Sequence, residues 1–437
     1  MGSSVRELAG ATPVTRDRYI DLLRVVSLGT VVLGHWLMAA VTTGGVDNLL
    51  AVVPGLQPLT WLLQIMPVFF FVGGFSHALS YRSLLRRRPE GSTDPVYAAF
   101  LRARLQRLLR PTMVFVLVWG AAALVLQLLG SGGGLTGVTL RLVTQPLWFI
   151  GVYLAMVAFT PALLGLHDRY GWGAFAALAS AAVAVDVLRF AAGVPYVEFL
   201  NFAFVWLAVH QLGFLRADGR IARPALLAGA GLTAAVALVA LGPYPLSMVG
   251  MPGEKISNMA PPTLALLCHG LWLVGAVELL RARGARLVAR PRVRATVVAA
   301  NGVAMTAFLW HLTAMLGVYG AMLALGVPLP DPATGAWWAQ APVRICAAVA
   351  LTALLVSVFR TFERPAPAVP SRGAGGAGAL SALGVTLALL GVLGLSMVGY
   401  AGLLEGRTAL LIAVHISAPA AVAMALGGWL LVERAGR

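Results

Sequence analysis

Charge is what this sequence most lacks. Only 11% of its 437 residues are Asp, Glu, Lys or Arg, against about 25% in an average soluble domain. Lysine is nearly missing: Lys255 stands alone among 32 cations, and the other 31 are arginine. Cysteine occurs twice, as Cys268 and Cys346, far apart and each inside an apolar stretch. With no CxxC pair and no His/Cys pair at ligand spacing, a thiolate metal site and a disulfide scaffold are excluded, and no metal is expected. No period of about 20–50 residues recurs, which removes solenoid folds. What is abundant is apolar surface, at 59% of residues and a mean hydropathy of +0.86. Such a chain keeps most of its surface in lipid, which excludes a disordered chain, a soluble enzyme and an ordinary nucleic-acid binder. The net charge of +16 would suggest nucleic acid in a soluble protein. Here the cations fall in short runs between apolar stretches, as they do in membrane-protein loops. Arginine in place of lysine, with so much Ala and Gly, reads as the imprint of a GC-rich bacterial genome.

A membrane-spanning helix needs about 20 mostly apolar residues. Twelve stretches qualify: 19–41, 58–81, 111–129, 146–165, 172–191, 198–215, 224–242, 261–281, 297–322, 340–361, 378–400 and 408–432. The expected fold is therefore all-α and polytopic. The second stretch holds Pro67 and the pair Gly73-Gly74, so a kinked or broken helix is predicted there. With the N-terminus placed in the cytoplasm and loops assigned alternately, 27 of the 32 cations face that side. The other side keeps Arg141, Arg189, Lys255, Arg344 and Arg407. This asymmetry predicts two cytoplasmic termini in a bacterial plasma membrane. The first apolar run carries Asp21 and Arg24, so it is read as a retained helix and not as a cleaved signal. A Pro/Gly-rich linker is expected over 366–377, between a ten-helix body at 16–365 and two further helices within 378–433.

Ionisable residues inside a spanning helix are costly and mark function. The first helix carries three, Asp21, Arg24 and His35. Asp21 and Arg24, three apart, can pair. Arg24 and His35 are eleven residues apart, which is about 16 Å along the axis and returns to the same helix face. Alternatively, Arg24 snorkels to the surface and His35 is a hydrogen-bonded core residue.

Arg24, ten intervening residues and His35 reproduce the R-x10-H signature of membrane-bound acyltransferase family 3, and the chain resembles that family beyond it. IMPVFFFVGGFSHAL (65–79) is similar to the family's aromatic, Gly-rich second helix, with Gly73-Gly74 where many members have Ser-Gly. RARLQRLLRP (102–111) resembles its cytoplasmic RxxR element through Arg104 and Arg107. PLWFIGVYL (146–154), FLWHL (308–312) and ERP (363–365) match in place and order. The resemblance covers the ten-helix body and omits the last two helices. It implies transfer of an acyl group, often acetyl from cytosolic acetyl-CoA, to a hydroxyl of a surface glycan, a glycolipid or a small molecule.

Acyl transfer to an alcohol needs a base, and histidine titrates near neutral pH. No GxSxG serine elbow competes with it. His35 is read as the base, with Arg24 and Asp21 beside it; a covalent acyl-histidine is the alternative. Arg104 and Arg107, one turn apart, suit the phosphates of coenzyme A. Trp148 either stacks on a cofactor ring or anchors its helix at the interface. His311 matches a family histidine and His77 follows the Gly-Gly pair; both are candidates to line the substrate cavity or to fill the core. The 242–262 loop is the candidate for touching the acceptor. Expected partners are membrane lipid, an acyl-CoA and a hydroxyl-bearing acceptor, with a homodimer left open and no nucleic acid. The rival class is a secondary transporter, which would show repeats; a scaffolding protein would not need the Arg24/His35 line.

Overall fold

The computed structural model describes residues 17–42, 45–88, 96–130, 133–251, 254–363, 377–411 and 414–434. Its helices are α1 (Arg18–Met38), α2 (Met66–Arg86), α3 (Val96–Leu128), α4 (Gly134–Leu142) and α5 (Leu147–Tyr170). They continue as α6 (Trp172–Phe190), α7 (Asn201–Ala217), α8 (Pro224–Leu241), α9 (Leu264–Ala289) and α10 (Pro291–Asn301). The remainder are α11 (Ala304–Ala324), α12 (Gly335–Phe359), α13 (Ala377–Val398) and α14 (Ala418–Arg434). Besides short helical turns, among them Leu49–Val52, Pro54–Leu59 and Thr60–Leu63, there are two short hairpins, β1 (Ala39–Thr42) with β2 (Gly45–Asn48) and β3 (Thr408–Leu411) with β4 (Val414–Ser417). Eleven of the described helical segments are long and apolar enough to cross a membrane. Helices suit this setting because they satisfy every backbone donor and acceptor within one segment. The chain is thus an all-α, multi-pass membrane protein.

The expected segments differ from these helices at four places, one of them the ninth stretch, 297–322, which is interrupted at Gly302-Val303 between α10 and α11. The last stretch, 408–432, opens with β-branched residues that form the β3–β4 hairpin, with Leu410 opposite His415. Helix α14 starts only at Ala418, and Pro419 sits in its first turn, where a missing N–H costs nothing. At 17 residues it is shorter than all eleven candidate spans and is not one of them, so the twelfth expected stretch is not matched by a full-length span. The first stretch likewise leaves the helix after Met38 and enters β1. In the second, the break lies at Gln64–Ile65, and Gly73-Gly74 are plain helix. Pro67 then stands in the first turn of α2, again without a lost hydrogen bond. The expected linker lies outside the described residues except for Ala377, the first residue of α13.

The chain forms two compact units. The first takes the described residues of Met1–Ala39, Asn48–Leu79 and Ala162–Ala304. Its central element is α7, buried almost all round from Val205 to Arg216, as a helix apolar on every side must be. Helix α8 instead buries only Ala228, Gly231 and Ala235, a narrow stripe of small side chains that lies against α9. The second unit takes Ala40–Asp47, Ser80–Pro161 and the described residues from Met305 onward. Its core joins Phe115 to Trp310, Phe149 to Phe308, and Trp310 to Phe359 in a stack 4.1 Å apart. Helices α13 and α14 form a close pair there and pack on α3. The Tyr400 hydroxyl donates to the Val116 carbonyl at 2.8 Å, and Gln127 donates to the Tyr400 carbonyl at 2.6 Å.

Candidate functional site

Asp21, Arg24, His35 and His77 belong to the first unit. Helix α1 starts there because the Asp17 carboxylate caps it, accepting the backbone N–H groups of Tyr19 and Ile20. The same carboxylate takes Arg216 Nη2 at 3.1 Å, while Glu278 takes Arg216 Nε at 2.7 Å. Arg216 therefore ties the start of α1 to the end of α7 and the middle of α9. Tyr19 donates to the Val277 carbonyl at 2.5 Å, and Asn301 donates to the Asp21 carbonyl at 3.1 Å. These contacts fix the first two turns of α1, and so fix Arg24.

Arg24 is held from two sides. Asp21 lies 3.6 Å from Nη1, and Nη2 donates to Ser76 Oγ on α2 at 2.9 Å. The expected Asp21–Arg24 pair is present, and Ser76 is an addition that α1 alone does not announce. His35, three turns on, is half-buried and close to the C-terminal end of α1, where its carbonyl accepts the Ala39 N–H. His77 is fully buried, with Nδ1 3.0 Å from Nε2 of His210 on α7. This histidine pair exists because α2 and α7 approach backbone to backbone. A Cβ on Gly74 would sit 2.0 Å from the His210 carbonyl oxygen, and one on Gly213 would sit 2.3 Å from that of Phe71. Both glycines serve close contact, and at Gly74 the sequence had suggested a break instead.

The 242–262 loop also belongs to the first unit and is pinned at several points. Asn258 donates to the carbonyls of Pro245 and Ser247 and accepts from the Thr263 hydroxyl. Gln64, Trp61 and Thr60 bond the backbone of Leu246 and Met248. Asp186 accepts the Tyr244 hydroxyl at 2.9 Å, Asn201 at 2.9 Å and the Leu264 N–H at 2.8 Å. Burial, with the Asp186 carboxylate beside it, raises the Tyr244 phenol above its usual range. A raised value means the protonated, bonded phenol supports the fold below about pH 10, and that support is lost only on strong alkalinisation.

Arg104, Arg107, Trp148 and His311 belong to the second unit. Arg104 is half-buried, and its Nε donates to Ser80 Oγ at 3.2 Å. Arg107, one turn on, is exposed and within electrostatic reach of Glu363. Glu363 caps α11, accepting the N–H groups of Met305 and Thr306 and the Thr306 hydroxyl at 2.6 Å. Buried His311 donates from Nδ1 to the Phe308 carbonyl, which leaves Nε2 as the acceptor nitrogen. Trp148 is half-buried beside Phe149, and Phe149 meets Phe308 at 4.9 Å. Phe149 of PLWFIGVYL thus meets Phe308 of FLWHL, and Glu363, the one described residue of ERP, bonds Thr306 just ahead of FLWHL. Sequence reasoning missed Ser76, Ser80, Arg216 and the capping role of Glu363.

Compared with known families, residues 17–359 match a model described as an acyltransferase domain, that of membrane-bound acyltransferase family 3. No curated protein and no solved structure matches the chain.

Proposed function

The chain belongs to membrane-bound acyltransferase family 3, and from that premise we propose which groups it moves and with which residues. The donor is a cytosolic acyl-CoA, with acetyl the first candidate. The acceptor is a hydroxyl of a cell-surface glycan, a glycolipid or a small molecule. His35 removes the hydroxyl proton, and the oxygen attacks the thioester carbonyl. The tetrahedral intermediate then collapses, and the expelled thiolate takes the proton back. Arg24 positions the donor, and Arg104 and Arg107 hold its phosphates at the cytoplasmic mouth.

The observation that carries this reading is Arg24. It is a cation within a spanning helix, yet it is held by Asp21 and Ser76 at 3.6 and 2.9 Å. A merely snorkelling arginine has no need of two fixed partners. The line from Arg24 to His35 runs about 16 Å along α1, a span for the extended arm that separates the phosphates of coenzyme A from its thioester. The test is to incubate the purified protein with radiolabelled acetyl-CoA and membrane lipid or glycan extracts. Label transferred to an acceptor, or thioester hydrolysis above that of the His35→Ala protein, is expected. A protein that neither hydrolyses nor transfers from any acyl-CoA would overturn the donor assignment.

A further inference from the structure

Away from the residues used above, the ends of α5 and α7 meet within the first unit. His167, in the last turn of α5, is fully buried. Its Nε2 lies 2.9 Å from Oδ2 of Asp218, the residue that caps the C-terminus of α7. Its Nδ1 lies 2.7 Å from Nε2 of Gln211 on α7. Asp168 follows His167 and is exposed, and the ligand atoms of His167, Asp168 and Asp218 lie within 4.8 Å of one another.

We propose that His167, Asp168 and Asp218 form a binding site for a divalent transition-metal ion, with Gln211 orienting the histidine. Four features carry this. One imidazole and two carboxylates form a mixed donor set that suits Mn2+ or Zn2+, whereas Mg2+ and Ca2+ favour oxygen alone. Two helix C-termini converge on the site, and their partial negative charge adds to that of the carboxylates. Both carboxylates are exposed, so rotation about their side chains can bring them to metal–ligand distances of about 2.0–2.2 Å.

The fourth feature is Gln211. Its Oε1 is buried and has no hydrogen-bond partner among the described residues. Without a metal, the amide N–H donates to His167 Nδ1, and Nε2–H donates to Asp218. For Nε2 to bind a metal, the ring proton moves from Nε2 to Nδ1, and that proton then needs an acceptor. Rotating the amide by half a turn brings the unpartnered Oε1 there, which is the outer-shell contact that metal-bound histidines make. No proton is gained or lost overall. The neighbouring cations are Arg169, over the Tyr170 ring, and Arg220, whose guanidinium packs on Gly171. The ion would clamp the end of α5 to the end of α7, with coordination positions left for water.

The test uses the full chain, purified in detergent without a polyhistidine tag and titrated with Mn2+. Binding is read by equilibrium dialysis and by loss of the free-ion EPR signal. The expected result is saturable binding of one ion per chain and a rise in Tm. Asp168→Asn, at an exposed position, should abolish saturable binding and with it the metal-induced rise in Tm. Gln211→Leu should weaken binding by about 10–100-fold. Absence of saturable binding by both Mn2+ and Zn2+ would overturn the proposal. So would binding that survives both Asp168→Asn and Asp218→Asn.

Discussion

Removing the His35 imidazole tests chemistry with little structural disturbance, because the ring is half-buried near the end of α1 and leaves Arg24 and its partners in place. His35→Ala should reach the membrane in normal amounts and lose acyl transfer by about 10²–10⁴-fold, the usual contribution of an acid–base group. Turnover near wild type at matched abundance would make His35 a core histidine. Gly74 offers the opposite case, structure without chemistry. Gly74→Ala drives a methyl group to 2.0 Å from the His210 carbonyl oxygen, a backbone atom that cannot turn aside. It should cost about 1–3 kcal/mol of stability, as overpacking does, read as a lower Tm in detergent. Asp21 and Arg24 were legible in the sequence because three residues on one helix put them together. Ser76 was not, because it comes from 52 positions further on and serine has no signature of its own. Arg216 escaped for the same reason. It looked like one more topogenic arginine until Asp17 and Glu278 closed on it.

At the scale of elements, α3 joins a cytoplasm-type amphipathic stretch to an apolar span in one helix of 33 residues. Leu101, Leu105, Leu108 and Leu109 turn inward while Arg107 stays exposed. That division suits a surface which meets a polyanion without giving up its packing. Arg104→Ala combined with Arg107→Ala should raise KM for acyl-CoA more than it lowers kcat. An unchanged KM would return the pair to a purely topogenic role. Helix positions were readable because runs of about 20 apolar residues have few other outcomes in lipid. Their ends were less so. The helix-to-strand changes at Ala39 and before Ala418 turn on a few β-branched residues, which hydropathy counts as continued span. The second helix is broken as expected, but at Gln64–Ile65: Pro67 looks internal to the apolar run and proves to stand in the first turn of α2.

For the whole molecule, the arginine asymmetry gives an orientation that can be checked directly. In a chain lacking Cys268 and Cys346, a cysteine at Ser257 should react with an impermeant maleimide in intact cells. One at Arg87 should react only after permeabilisation; the reverse pattern would invert the donor side. We also propose that residues 16–365 and 378–433 are separate domains whose connecting segment can be cut. Co-expressed as two chains divided near Pro370, they should purify together, and the larger should retain donor turnover. Tyr400→Phe should loosen that association by about 0.5–1.5 kcal/mol, the worth of one hydrogen bond. The Tyr400 contact also bears on the order of synthesis. Tyr400 is fully buried, with its hydroxyl on the backbone of α3, yet a ribosome makes it 284 residues after Val116. Until then the patch of α3 that receives it must face lipid or an insertion chaperone. A ribosome stalled before residue 400 therefore leaves a nascent chain whose third helix still waits for its neighbour, a state that membrane quality control can recognise.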